Sequence, residues 1–181
     1  MASKATYIVK FRRRLAERTN YAKRLALLKS GKPRLVVRKS NMHVLAQVIE
    51  FDRSGDKTIA SAVSGELKKF GWKNGSHSIP AAYLTGLLCG KRAQAKGAKE
   101  AVFDLGLVTP VHGSRSFAAL KGAIDSGLNV KADESAFPGN DRISGKHISL
   151  FGEKNGNDSL KGIIAAFEET KKRVLAEGEG K

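Results

Sequence analysis

"KPRLVVRKSN", Lys32–Asn41, is the stretch on which the fold reading turns. Leu35-Val36-Val37 is a β-branched apolar run, the composition of a strand. Strand alternation puts Leu35 and Val37 on one face and Arg34, Val36 and Arg38 on the other. The first face is expected to meet a core. Arg34 and Arg38 are expected to point away from it, into the surroundings. Pro33 separates the strand from what precedes it, and Ser40-Asn41 reads as a turn.

The charge around this strand is lopsided. The chain has 181 residues, 33 of them Lys or Arg and 17 Asp or Glu, for a net charge of +16. Residues 1–40 hold thirteen basic residues and one acid, Glu17, so 13 − 1 = +12 sits there and 16 − 12 = +4 is left for the rest. Charge this concentrated repels itself unless an anion lies against it, and a nucleic acid fits better than a solvated face. One cysteine, Cys89, allows no intramolecular disulfide and no Cys-based metal site. The most apolar stretch, residues 79–90, is too short to span a bilayer. No apolar run follows the basic N-terminus as a secretory signal requires, so an intracellular, reducing setting is expected.

Outward from the opening strand, three units are expected. Residues 1–31 form a basic arm, 32–130 an α/β core and 131–181 a loop-rich and helical extension. In the arm, Leu15, Arg18, Ala22, Leu25 and Leu28 have helical spacing, which predicts a helix over 11–29 ended by Gly31 and Pro33. Arg34–Lys39, His43–Phe51 and Thr58–Val63, joined by short turns, predict an antiparallel meander. A helical turn over 64–70 follows. Pro80 opens a long helix to Lys96, closed by Gly97. A short strand at Ala101–Asp104, a helix over 115–126 closed by Gly127, and a strand at 128–130 complete the core. A last helix over 158–177 carries Leu160, Ile163, Ile164, Phe167 and Val174 as its apolar stripe, and "GEGK" is a fraying tail.

Several chemistries are weighed by spacing. "GLLCGK", Gly86–Lys91, and "GNDRISGKH", Gly139–His147, have the wrong glycine gaps for a phosphate loop and no hydroxyl residue after the lysine. The first glycines are read instead as sites of close helix packing. His43, His77, His112 and His147 show no ligand spacing. Asp104, Asp125, Asp133 and Glu134 do not form the carboxylate cluster of a two-metal nuclease. No catalytic residue, metal, cofactor or small-molecule substrate is expected. Arg12, Arg13, Arg14, Arg18 and Arg24 suit phosphate recognition, since guanidinium is planar and bidentate. Tyr7, Phe11 and Tyr21 either stack on bases or dock the arm on its own core, and both readings stand. "VHGSRSF", Val111–Phe117, is either a phosphate-binding turn at a helix start or a plain capped loop.

Residues 31–64, 81–106 and 113–130, in that order, resemble the universal large-ribosomal-subunit family numbered eighteen, whose members bind 5S rRNA. The similarity spans roughly residues 10–150. "RRRLAERTNYAKRLALLKSGKPRLVVRKSN" resembles the archaeal-type branch, as does the presence of a C-terminal helix. The resemblance implies a cytoplasmic ribosomal protein that binds 5S rRNA and attaches it to 23S-type rRNA in the central protuberance. It also implies a neighbouring 5S-binding ribosomal protein as partner, and a three-layer α/β/α mixed sheet similar to the ribonuclease H class without its catalytic acids. Position by position, it implies RNA contacts from the arm at Arg12, Arg13, Arg14, Arg18, Tyr21 and Arg24. It implies others from the first hairpin at Lys32, Arg34, Arg38, Ser40, Asn41, His43 and Gln47, and from the loop at His112, Ser114 and Arg115. The competing classes are a metal-dependent nuclease on the same layout and a generic basic nucleic-acid binder.

Overall fold

The structure is a computed structural model that describes residues 9–177. Tyr7 and the "GEGK" tail, on which two sequence readings rest, lie outside the described residues.

Four strands make one mixed sheet in the order β3-β2-β1-β4. They are β1 (Arg34–Lys39), β2 (Val44–Glu50), β3 (Lys57–Val63) and β4 (Val102–Asp104). The first three form the expected antiparallel meander, and β4 joins β1 in parallel. Register fixes the faces. Leu35 opposes Val48 and Val37 opposes Ala46, while Ala46 and Val48 oppose Ala62 and Ala60. All six are buried in one core cluster. Short alanines on two strands leave room for helices to approach the sheet closely.

Two helices fill that face: α3 (Ile79–Ala95) and α4 (Arg115–Asp125), after the arm helices α1 (Arg12–Leu15) and α2 (Tyr21–Leu28) in chain order. Ser78 caps α3 by accepting from Ala81 N, and Pro80 sits in its first turn, where no amide partner is needed. The α3–α4 crossing explains the glycines of "GLLCGK". A Cβ on Gly86 would lie 1.8 Å from Ala119 O, and one on Gly122 2.0 Å from Tyr83 O. The two backbones touch, so only hydrogen fits. Cys89, buried on α3, has its thiol pushed up to about 12 by desolvation and is chemically quiet.

Three helix predictions are corrected. The arm is two helices and not one. Glu17 takes φ +51, and Asn20 starts α2 afresh by accepting from Lys23 N at 3.1 Å. A side chain that caps the backbone locally competes with helix continuation. The C-terminal helix is α7 (Asp158–Lys161) and α8 (Ile163–Ala176), parted at Gly162. The segment read as loop holds α5 (Asn140–Ile143) and α6 (Lys146–Lys154). Residues 128–130 form only an isolated bridge, Glu100 to Asn129. The α8 stripe is buried as expected at Ile163, Phe167 and Val174, and Phe167 meets Tyr83 of α3 with ring centroids 5.6 Å apart.

Because the α3–α4 backbones leave no room for a methyl group, Gly86→Ala is expected to destabilise the fold by about 2 kcal/mol or more through overpacking. Urea unfolding would measure it. A stability equal to that of the wild type would show that the helices can separate without cost.

Candidate nucleic-acid interface

The outer face of β1 differs from the sequence reading. Arg34 is 4% exposed and does not face the surroundings. Its Nη2 donates to Asp56 Oδ2 at 2.6 Å and its Nη1 to Asp104 Oδ2 at 3.0 Å. Arg38 is half-exposed and lies over the chain after β4. It donates to the backbone carbonyl of Asp104 at 2.8 Å and approaches the Asp104 carboxylate at 3.3 Å. Gly106 N completes the shell of Asp104 at 2.7 Å. The reason is charge neutralisation. A guanidinium leaves water only if carboxylates replace it, and the chain supplies two from the β2–β3 turn and from the end of β4.

Asp56 has a second partner. Its Oδ1 accepts from Arg24 Nη2 of α2 at 2.8 Å. One carboxylate thus bridges the arm and the sheet, and the arm lies back across the outer face of β1. Within the arm, Arg13 Nε donates to Thr19 Oγ1 at 2.9 Å. Phe11 and Tyr21 sit ring to ring, 5.2 Å between centroids. Both rings belong to the arm, so the contact braces α1 against α2 and decides neither stacking on bases nor docking on the core, and Phe11 stays 71% exposed.

The other expected positions fall into distinct groups. Arg12, Arg13, Arg14 and Arg18 are exposed, and none of them makes an ion pair among the described residues. Lys32 is exposed and paired with Glu100. Ser40, Asn41 and His43 form the exposed β1–β2 turn, where Ser40 Oγ accepts from His43 N at 2.9 Å. Gln47 is half-buried on the outer face of β2. His112 is exposed, edge-on to Phe117. Ser114 is the N-cap of α4 without a side-chain cap bond, and Ser116 is buried. Arg115 donates to the carbonyls of Ser40 and His77, both at 3.2 Å. It therefore holds the β1–β2 turn against the start of α4 and brings Ser40, Asn41 and His43 to the same end of the sheet as Ser114.

Asp56, Thr19 and Asn20 carry the arm's geometry and were missed in the sequence. The signal available was the acid closing "DRSGD", a carboxylate in the turn that leads into β3. Among the described residues, no group of three or more His, Cys, Asp or Glu side chains is placed to hold a metal ion. Asp104, the acid at a strand end, has its oxygens occupied by Arg34, Arg38 and a backbone amide.

A family model described as "Ribosomal large subunit proteins 60S L5, and 50S L18" matches residues 5–99. The chain belongs to this family. Curated relatives agree over nearly its whole length. "Large ribosomal subunit protein uL18" of Korarchaeum cryptofilum is 50% identical over 154 residues, 85% of this chain and 79% of that protein. The protein of the same name from Methanothermobacter thermautotrophicus is 47% identical over 169 residues, covering 93% and 88%. That from Halobacterium salinarum is 45% identical over 181 residues, covering 97% and 99%.

In this member of the family, the first-strand arginine serves the fold. Arg34→Gln is expected to cost about 3 kcal/mol, because two carboxylates lose a buried partner. For a chain of this size that is a fall of roughly 6–12 °C in Tm. A thermal scan showing no change would restore Arg34 to the outside of the protein.

Proposed function

We propose that this structural protein of the large ribosomal subunit binds 5S rRNA and helps fasten it to 23S-type rRNA in the central protuberance. It works in the cytoplasmic ribosome, beside a neighbouring 5S-binding ribosomal protein. One observation supports this most: Arg12, Arg14, Arg18 and Lys23 stand exposed on the arm, without an ion-pair partner among the described residues, while Asp56 and Asp104 beside it are spent on Arg24, Arg34 and Arg38. The protein has neutralised its inner arginines and left the outer cations for phosphate. Affinity then comes from counterion release, and selectivity from RNA shape and unpaired bases. The exposed turn at Ser40, Asn41 and His43 and the loop at His112–Arg115 are proposed as further contacts. Arg34 is not, and Arg38 contacts RNA only with the edge it leaves exposed.

The division into arm (1–31), core (32–130) and extension (131–181) is proposed as a functional one. A layering like that of the ribonuclease H class is also inferred, supported by the meander followed by a parallel fourth strand. The nuclease reading is disfavoured by the guanidinium groups that saturate Asp104. It would require magnesium-dependent cleavage that Asp104→Asn abolishes.

Filter binding of a 5S rRNA transcript over a salt series tests the function. Affinity is expected to fall steeply with salt. Arg18→Gln is expected to lower the log–log slope by about 0.8, one phosphate contact. An affinity indifferent to salt, or equal displacement by tRNA, duplex DNA and 5S rRNA, would contradict the proposal.

A further inference from the structure

Between the arm and the sheet lies a cavity of about 420 Å³. Its walls are α2, the outer face of β1, and the segment that follows β4. The walls differ in chemistry. Arg13, Arg18 and Lys23 stand on the arm side. Leu107, Val108 and Pro110 come from the segment after β4, and Leu107 is half-exposed. Arg34 and Arg38 line the β1 side, and Asp104 is the only acid in the lining among the described residues. Arg34 also keeps one buried donor, Nε, without a hydrogen-bond partner. Buried donors are almost always satisfied, so this atom marks hydrogen-bonding capacity that the fold does not use.

Cations and apolar side chains together, around a volume suited to one small molecule, match a nucleotide. The phosphate carries the charge and the base carries the flat apolar surface. A duplex hides its bases in the stack and is too wide to enter. Unpaired RNA bases are splayed out and held on apolar or aromatic side chains. We propose that this cavity receives one extruded, unpaired nucleotide of the bound rRNA. Its phosphate lies against Arg13, Arg18 and Lys23, and its base against Leu107 and Pro110. This rests on the rRNA-binding reading above and specifies where a single base would be recognised. Leu107 also borders an adjoining hollow lined by Arg14, Glu17 and Tyr21, where the strand would leave the cavity past the Tyr21 ring.

The nucleotide can belong to 5S or to large-subunit rRNA, and the test separates the two. A benzophenone amino acid replaces Leu107 in the full-length protein. The protein is then irradiated with a 5S rRNA transcript in one arm and with a large-subunit rRNA transcript in the other. The expected result is a dominant crosslink to one unpaired nucleotide in one of the RNAs. In parallel, Leu107→Asp is expected to weaken binding of that RNA about tenfold, the size of a lost base contact, with Tm unchanged. Crosslinks scattered along paired regions, or Leu107→Asp binding as tightly as the wild type, would overturn the inference while leaving rRNA binding intact. Failure of the wild type to bind either RNA would overturn the function reading, and this inference with it.

Discussion

The pairing of Arg34 with Asp56 and Asp104 is the constraint around which the rest is arranged. Removing a guanidinium from water costs several kcal/mol unless carboxylates and hydrogen bonds replace the lost hydration. Here two acids do so, from positions 22 and 70 residues away in the chain. Each then acts as a junction. Asp56 passes the link to Arg24 on the arm, and Asp104 passes it to Arg38 and to the turn at Gly106. The arm, the β2–β3 turn, β1 and the end of β4 are thereby tied to one buried point. On the opposite face of the sheet, α3 and α4 close over small residues with no charge at all. One sheet is held by ion pairs on its outer face and by close packing on its inner face.

The same logic divides the protein's positive charge. Arg92 is a second internal tether: it reaches Glu66 at 2.7 Å, Ser61 O at 2.8 Å and Glu177 at 3.2 Å, joining β3, the turn after it and the end of α8. Arginine suits both tasks because its planar fork can satisfy several acceptors at once. On α1, on α2 and in the turn between them, Arg12, Arg14, Arg18 and Lys23 stay exposed without an ion-pair partner among the described residues. Docking this segment before RNA arrives reduces the ordering cost of binding, which would otherwise be subtracted from affinity.

Much of this was legible in the sequence, for reasons of range. The meander, α3 and α4 follow from local periodicity, and Gly97 and Gly127 mark where the helices stop. Gly86 and Gly90 failed as a phosphate loop, and close packing was the reading left. The arm's cations were visible because residue type alone names phosphate as their partner. Arg34 was misread because alternation reports which side of a strand a residue occupies, and not what covers that side. Asp56 and Asp104 are too distant in sequence for any pattern to join them to Arg34. The break at Glu17–Asn20 was hidden because one Asn cap outweighs a thin apolar stripe. The cavity beside Leu107 exists only once the arm has folded back, so no spacing announces it.

The central claim is that Asp56 holds the arm on the sheet in the free protein. Amide hydrogen exchange across residues 21–28, without RNA, tests it most directly. The wild type should exchange these amides well below the unstructured rate. Asp56→Asn should bring them close to that rate while the amides of β1 stay protected. Exchange at the unstructured rate in the wild type, or equal protection in both proteins, would contradict the account.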